Sequence, residues 1–346
     1  MKSNEQVWVV VLAAGEGKRV KDLTRDLWGE PAPKQYSSID GSTTLLGTTL
    51  KRAKKISPPE RIVPIVAAQH HRWWVPELTE IPPENVIVQP ENRGTAAGIL
   101  LPLLWITQHD PDAVLVILPS DHGVASEHAL QSAIIDATVR AGRTGAGLVL
   151  LGVKPERPET GYGWIVPRAD ECGRLETIAS FREKPDAAAA ALLFDQGALL
   201  NSFILISEGR FLLDLFESRL PQLWHAFQPV VKERWDPSVA EAELACLYRS
   251  VPMLDFSKDL LEQAAEKLWV YPVPACGWLD LGTPERLTRH LADQTRSPRD
   301  GRKQASTHPL NRRPSRVPRY ASTFRSQPDG APHHTPGGGL RTIHAT

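Results

Sequence analysis

The chain has 346 residues, of which 41% are hydrophobic and 23% charged, so it can bury a sizeable core. It contains no apolar run of the roughly 20 residues that cross a bilayer, and its first residues lack the organisation of a signal peptide, which predicts a cytoplasmic protein with no membrane partner. The three cysteines, Cys172, Cys246 and Cys276, lie far apart and exclude a disulfide framework or a zinc-ligand spacing.

The formal net charge of zero conceals an uneven distribution of charge along the chain. Residues 296–346 hold ten of the 40 Lys and Arg residues but only two of the 40 acidic residues, Asp300 and Asp329. This segment is rich in Pro, Ser, Thr and Gly and has no apolar period that would bury a face. We therefore predict one folded domain over residues 5–295 and a disordered basic tail over residues 296–346, with no appended β-helix or isomerase domain and no nucleic-acid partner.

Short apolar runs alternate with helical patterns through the first half of the chain. The predicted strands are residues 7–12, 61–67, 85–88, 113–118 and 147–153. The predicted helices are residues 45–56, 96–108 and 127–143. This alternation predicts a Rossmann-like, doubly wound α/β sheet, in which ligands bind beyond the carboxyl ends of the strands.

The rhythm changes after residue 160. Shorter predicted strands at 163–167, 175–181 and 200–206 mix with predicted helices at 185–196 and 211–218, and a further apolar strand pattern lies at 268–272. We interpret this part as a second half that covers the sheet within the same domain.

The loop after the first predicted strand combines glycines with cations. Gly15 and Gly17 allow backbone N–H groups to approach phosphate oxygens, because glycine has no Cβ. Arg19 ends this loop and Lys34 follows after a long stretch, so the two cations can together clamp a triphosphate. The loop lacks the last glycine of a dinucleotide fingerprint and is not a Walker loop, which disfavours a nicotinamide-dependent oxidoreductase.

Seven segments resemble, in order, the signature of the sugar-phosphate nucleotidyltransferases. They are VVLAAGEGKR with the later PKQY, then QPENRGTA, PSDH, GYGWI, FREKP, NS and WLDLG, and they span residues 7 to about 291. On these motifs the chain is identified as a member of that family. The resemblance implies a mixed sheet of the nucleotide-diphospho-sugar transferase type and an enzyme that joins a nucleoside triphosphate to a sugar 1-phosphate with help from Mg²⁺.

The resemblance also implies a role for each segment. The implied nucleotide-binding residues are Ala13, Ala14, Gly15, Gly17, Lys18, Arg19, Lys34, Gln89, Asn92, Arg93, Gly94, Thr95 and Ala96. The implied sugar-phosphate-binding residues are Tyr162, Gly163, Glu183, Lys184 and Asn201. The implied catalytic residues are Arg19, Lys34, Asp121, Lys184 and Asp280.

Asp121 and Asp280 are the predicted ligands of Mg²⁺. Mg²⁺ prefers oxygen ligands and takes one or two carboxylates together with phosphates and waters, which suits two aspartates that arrive from distant parts of the chain. Nucleotidyl transfer needs an attacking phosphate oxygen in line with the α-phosphorus and a neutralised leaving pyrophosphate. No protein nucleophile is required.

Within the family, QPENRGTA, PKQ and Asp255-Phe256-Ser257 are most similar to mannose-1-phosphate guanylyltransferases, or GDP-mannose pyrophosphorylases, which predicts GTP and mannose 1-phosphate as substrates. Three positions depart from that pattern: Phe203 stands where glycine is usual, Lys258 where an apolar residue is common, and Gly94 where asparagine is more frequent. The alternatives are a glucose-1-phosphate uridylyl- or thymidylyltransferase, and a catalytically silent homologue that binds a nucleotide-sugar and regulates a partner. The oligomeric state stays open.

Overall fold

The computed structural model describes residues 7–20, 22–27, 29–39, 41–168, 174–232 and 241–288. The strands are β1 (Val7–Ala13), β2 (Ile62–Ala67), β3 (Ile87–Gln89), β4 (Val114–Pro119), β5 (His122–Gly123), β6 (Leu148–Val153), β7 (Gly163–Pro167), β8 (Glu176–Glu183), β9 (Leu199–Glu208), β10 (Leu268–Pro272) and β11 (Leu279–Asp280). The α-helices are α1 (Leu45–Ala53), α2 (His71–Glu77), α3 (Gly94–His109), α4 (Glu127–Thr144), α5 (Ala187–Asp195), α6 (Gly209–Arg219), α7 (Pro221–Lys232) and α8 (Glu241–Ser250). The predicted tail and Cys172 lie outside the described residues.

Nine of these strands form one sheet, in the order β3-β2-β1-β4-β9-β6-β10-β8-β7. Strands β1 to β4 run parallel to one another, whereas β9 runs antiparallel to both β4 and β6. Strand β10 is parallel to β6 and antiparallel to β8. The doubly wound mixed sheet predicted from the sequence is confirmed.

The nine strands of the large sheet begin and end within two residues of the predicted bounds, and the two-residue strands β5 and β11 were not predicted. The predicted helix at 45–56 is too long, since α1 ends at Ala53. The N–H groups of Ile56 and Ser57 both bond to the Ala53 carbonyl, and Pro58 and Pro59 follow. A helix cannot continue easily into two prolines, so the chain turns here instead.

The core depends on buried strands and on one fully buried helix. Six of the seven residues of β1 are buried, the pattern of a central strand that is covered on both faces. Helix α3 buries every residue from Ala96 to Ile106, so it is apolar on all sides. Trp8 of β1 packs edge-to-face on Trp105 of α3, with 5.8 Å between ring centroids. None of the described helices has the length and apolar character needed to span a membrane.

The sheet brings the sequence motifs to one edge. Three strands of the parallel ladder, β1, β3 and β4, end at Ala13, Gln89 and Pro119. Each of these ends lies within one of the predicted motifs. The small ladder between β5 and β11 pairs His122 with Asp280, which carries the last motif to the same edge. This edge is therefore where the predicted site residues meet.

Gly147 provides a test of the packing between β6 and α6. A Cβ at this position would lie 2.3 Å from ring atoms of Phe211, while the hydrogen bond from Ser207 Oγ to the Gly147 carbonyl, 2.7 Å long, restrains the backbone. We expect Gly147→Ala to lower the free energy of unfolding by about 1–3 kcal/mol through overpacking, measured by chemical denaturation.

The matched control is Gly142→Ala in α4, where an added Cβ would meet nothing within 4 Å. Alanine favours an exposed helix over glycine, so this variant should be more stable than the unmodified chain by roughly 0.5–1 kcal/mol. Equal effects of the two substitutions would contradict the packing described for Gly147.

Candidate active site

A cavity of about 810 Å³ lies at the carboxyl edge of the parallel strands. The predicted site residues that line it are Ala14, Gly15, Arg19, Gln89, Asn92, Gly94, Thr95, Asp121, Tyr162, Gly163, Glu183, Lys184, Asn201 and Asp280. Within the described part of the chain, the predicted residues that do not line it are Ala13, Gly17, Lys34, Arg93 and Ala96. The side chain of Lys18 lies outside the described residues.

The centre of the site is an ammonium group between two carboxylates. Lys34 Nζ lies 2.6 Å from Asp280 Oδ1 and 3.1 Å from Asp121 Oδ2. The lysine side chain is only 4% exposed, whereas that of Asp121 is 40% exposed. Burial raises the pKa of the Asp121 carboxyl, but the Lys34 ammonium, His122 and a backbone hydrogen bond together lower it to about 2. Asp121 therefore offers ionised oxygens at the cavity.

His122 lies beside this pair, and its hydrogen bonds fix which ring nitrogen carries the proton. The indole N–H of Trp278 donates to His122 Nδ1 at 3.2 Å, so Nδ1 is an acceptor and the proton sits on Nε2. Nε2 faces Asp121 Oδ1 at 3.5 Å. Burial lowers the pKa of His122, although Asp121 and Asp280 act in the opposite direction, so the ring is neutral at pH 7. One ligand atom each of His122 and the two aspartates lie within 4.8 Å of one another.

Two arginines flank Asp280 on its other sides. A Cβ at Gly282 would lie 2.7 Å from Asp280 Oδ2 and 3.2 Å from Arg19 Nη2. The Arg19 guanidinium and the Asp280 carboxylate therefore both lie close to Gly282. Arg286 Nη1 lies 3.4 Å from Asp280 Oδ2, and its Nη2 contacts Glu159 Oε2 at 2.7 Å. The Asp280 carboxylate is thus held by cations at both oxygens.

The glycine-rich loop is held tightly against the segment that carries Lys34. Gly17 has a φ of +61°, and a Cβ there would lie 2.9 Å from the backbone nitrogen of Lys34, so only glycine fits without strain. Gln35 Nε2 donates to the carbonyls of Ala13 and Gly15, at 3.0 and 2.7 Å. The predicted residues Ala13 and Gly17 therefore support the loop, while Gly15 lines the cavity.

The segment QPENRGTA, which the sequence predicts to bind the nucleotide, forms the turn that begins α3. Gly94 has a φ of +84°, and a Cβ there would lie 2.1 Å from the Leu254 carbonyl, so the turn packs closely on that segment. The N–H of Gly94 donates to Asn92 Oδ1, and Thr95 Oγ1 accepts the N–H of Phe256 at 2.8 Å. Glycine rather than asparagine at position 94 follows from this close approach.

Arg93 and Ala96 support that turn from behind. The N–H of Ala96 donates to the Leu254 carbonyl at 3.1 Å, and the Arg93 carbonyl accepts the N–H of Leu254. Gln89 lies at the end of β3 and donates to the hydroxyl of Tyr248 at 2.9 Å.

The predicted sugar-phosphate residues converge on the opposite side of the cavity. A Cβ at Gly163 would lie 2.7 Å from Glu183 Oε2 and 3.4 Å from Asn201 Cβ, which shows how closely these three residues meet. Lys184 Nζ contacts Glu183 Oε1 at 2.6 Å and is half exposed. Burial raises the pKa of Glu183, and the hydrogen bond from Lys184 offsets this only in part. The ring of Tyr162 lies 5.6 Å from that of Trp278.

Arg286 is a site residue that the sequence reasoning missed. Its guanidinium lies 4.1 Å from the centroid of the Tyr162 ring while contacting both Asp280 and Glu159, so it ties two motifs together. The signal that could have found it is an arginine four residues after WLDLG, at the point where Gly282 allows a sharp turn into the next helical segment.

A mixed α/β sheet with a glycine-rich loop, paired carboxylates and cations at its carboxyl edge defines a nucleotide-binding protein of the doubly wound class. Residues 8–297 match the family described as nucleotidyl transferase. The chain therefore belongs to the nucleotidyl transferase family.

Individual relatives agree with this assignment. Xanthan biosynthesis protein XanB of Xanthomonas campestris is 31% identical over 286 residues, which cover 79% of this chain and 57% of XanB. Mannose-1-phosphate guanylyltransferase of Escherichia coli is 31% identical over 301 residues, covering 81% of this chain and 59% of that protein. The chain thus spans little more than half the length of these relatives.

The fold also resembles a crystal structure of a protein from Thermus thermophilus that is described as a mannose-1-phosphate geranyltransferase. The TM-score is 0.69 at 27% sequence identity, and the match covers 80% of this chain and 76% of the other.

Lys34→Met tests whether the ammonium between the carboxylates stabilises the fold. The substitution leaves Asp121 and Asp280 facing each other without their shared cation, so we expect the free energy of unfolding to fall by about 3 kcal/mol in buffer without divalent ions. Chemical denaturation measures the change.

The control is Lys54→Met, which removes a surface pair with Glu80, whose side chain is 73% exposed. Exposed pairs contribute about 0–1 kcal/mol, so this variant should be nearly as stable as the unmodified chain. A Lys34→Met variant no less stable than the Lys54→Met variant would refute the stabilising role of the buried pair.

Proposed function

We propose that this protein transfers a nucleotidyl group from GTP to mannose 1-phosphate, giving GDP-mannose and pyrophosphate. The observation that carries the proposal is that Asp121, Asp280 and Arg19 line one cavity. The same cavity is lined by Gly94 and Thr95, which we call the base-binding turn, and by Glu183 and Lys184, which we call the sugar-binding pair. Such a reaction needs opposite charges arranged around a triphosphate with room for a second substrate beside it. The name of the Escherichia coli relative supports the same choice of substrates.

The chemistry is a substitution at phosphorus. A phosphate oxygen of the sugar 1-phosphate forms a bond to the α-phosphorus of GTP, and the bond from that phosphorus to the bridging oxygen of the β-phosphate breaks. The electron pair leaves with pyrophosphate, so the step needs no oxidant, reductant or covalent enzyme intermediate. Catalysis then depends on positioning and on neutralising charge.

The donor set at the cavity fits Mg²⁺. Asp121 and Asp280 supply hard carboxylate oxygens, and the Asp121 side chain is 40% exposed at the cavity. His122 does not fit as a ligand, because its Nδ1 accepts the Trp278 N–H and its Nε2 carries the proton. We propose Asp121 and Asp280 as the residues that hold Mg²⁺, which would supply positive charge to the phosphates and the leaving pyrophosphate.

The side chains around this pair have separate tasks in the proposal. Arg19 reaches the Asp280 end of the cavity, where it is positioned to stabilise negative charge on the triphosphate. Lys34 fixes the orientation of the two carboxylates through its two ion pairs. Lys184 offers a half-exposed ammonium to the monoester phosphate of the sugar, and Glu183 accepts hydrogen bonds from sugar hydroxyls.

The base-binding turn would hold the nucleoside. Gly94 and Thr95 begin α3 at the cavity wall, and Gln89 and Asn92 also line the cavity.

The cytoplasmic location stays a prediction.

A panel of triphosphates and sugar phosphates tests the proposal. We expect pyrophosphate release, measured with Mg²⁺, to be fastest with GTP and mannose 1-phosphate. Arg19→Ala, prepared in parallel, should lower kcat/KM by about 100-fold, since removing one preorganised donor at developing charge costs 10²–10³-fold. That variant also controls for contaminating activity.

Each outcome of the panel discriminates between candidate functions. A preference for UTP or dTTP with glucose 1-phosphate would overturn the guanylyl assignment and keep the reaction class. Binding of a nucleotide-sugar without any pyrophosphate release would favour a catalytically silent homologue.

A further inference from the structure

Two residues at the cavity have a backbone conformation that side chains rarely adopt. Of the residues that the structure describes, Lys184 and Phe203 are the non-glycine residues with positive φ, at 44° and 59°. Both line the cavity. A positive φ is unfavourable for any residue with a Cβ and especially for a bulky one, and such strain concentrates at binding sites. Phe203 is the more unusual case, because glycine would take the same conformation without strain.

Local hydrogen bonds hold the backbone at Phe203 in this conformation. The N–H of Phe203 donates to Asn201 Oδ1 at 3.0 Å. Ser202 Oγ donates to the Leu151 carbonyl at 2.7 Å and accepts the N–H of Ile204 at 3.2 Å. The pairing of β9 with β6 is irregular at this point. The strained residue is therefore fixed by its surroundings.

The same hydrogen bond orients the amide of Asn201. Because Oδ1 accepts the Phe203 N–H, the Nδ2 group of Asn201 is left to donate toward the cavity that this residue lines. The Asn201 side chain lies next to Gly163, as does Glu183, which is proposed to accept hydrogen bonds from the sugar hydroxyls. The ring of Phe203 thus stands beside a donor for a sugar hydroxyl.

The ring has one packed side and one open side. Its centroid lies 6.2 Å from that of Phe256, and the two rings meet edge-to-face. Phe256 is fully buried, whereas Phe203 is half-buried and forms part of the cavity wall. Phe256 also donates its N–H to Thr95, so the Phe203 ring packs on a residue that is bonded to the turn that begins α3, while its backbone N–H is bonded to Asn201. A large side chain here reduces the space available to a second substrate.

We infer that Phe203 is a specificity-determining residue whose ring restricts the sugar subsite to unsubstituted hexose 1-phosphates and excludes 2-acetamido-2-deoxyhexose 1-phosphates. The inference rests on the proposed function. The positive φ and the hydrogen bond to Asn201 hold the backbone of this cavity-lining residue in place, and the packing on Phe256 restrains its ring.

The test compares kcat/KM for mannose 1-phosphate with kcat/KM for N-acetylmannosamine 1-phosphate, which differs from it only in the group at C2, both with GTP and Mg²⁺. The unmodified protein should prefer mannose 1-phosphate by 100-fold or more. Phe203→Ala removes the ring but keeps a Cβ, and Phe203→Gly removes both, so each should reduce this preference at least tenfold. Phe203→Leu keeps most of the bulk and should change the preference less than threefold.

Two further measurements keep folding separate from specificity. Phe203→Gly relieves the positive φ, so it should melt at a higher temperature than Phe203→Ala and remains usable if the alanine variant does not fold. Phe211→Ala truncates an aromatic ring that packs against Gly147, away from the cavity, and should lower Tm without changing the substrate preference.

An unchanged preference in both Phe203→Ala and Phe203→Gly, or no preference in the unmodified protein, would overturn the inference. If the protein binds sugar phosphates without turning them over, the proposed function fails, and the ratio of the two Kd values decides the role of Phe203 by the same tenfold criterion. If neither sugar phosphate is turned over or bound, both proposals fail.

Discussion

The buried ammonium of Lys34 is the constraint on which the site depends. It contacts Asp280 at 2.6 Å and Asp121 at 3.1 Å, and it is almost completely removed from solvent. A buried cation is costly unless it is paired, so three distant segments must meet wherever Lys34 lies. The glycine-rich loop packs on the Lys34 backbone at Gly17, and the ladder of β5 with β11 fixes Asp280 beside Asp121. The same contacts that satisfy the lysine therefore shape the cavity wall.

A single segment, residues 254–262, connects two sides of the cavity. Leu254 and Phe256 hydrogen-bond to the turn that begins α3, while Glu262 accepts the N–H of Glu183 at 2.7 Å. Between them lies the π-helix Phe256–Leu261, a distortion that is frequent at functional sites. The turn and the end of β8, which we propose to bind the nucleotide and the sugar, thus share one support, and the strained Phe203 packs on the first residue of the π-helix.

The sequence predicted the sheet because its strands are continuous apolar runs with clear ends, and it predicted the meeting of Asp121 and Asp280 because both follow such runs. It could not predict that Lys34 lies on these carboxylates, since a lysine in a loop offers no sign of its burial or its partners. The same holds for Arg286 and for the tautomer of His122, which depend on side chains far away in sequence. The sequence showed that Phe203 stands where glycine is usual in the family, but its positive φ is visible only in the structure.

We propose that Asp121 and Asp280 act together as one metal site, which predicts the outcome of a double-mutant cycle with Asp121→Asn and Asp280→Asn. Asparagine keeps the size of the side chain but removes the charge that holds a divalent ion. We expect each single variant to lose activity mainly in kcat, and the double variant to lose little beyond the worse single one, because residues of one constellation act non-additively. Losses that multiply, or full activity of either single variant at ordinary Mg²⁺ concentration, would contradict the account.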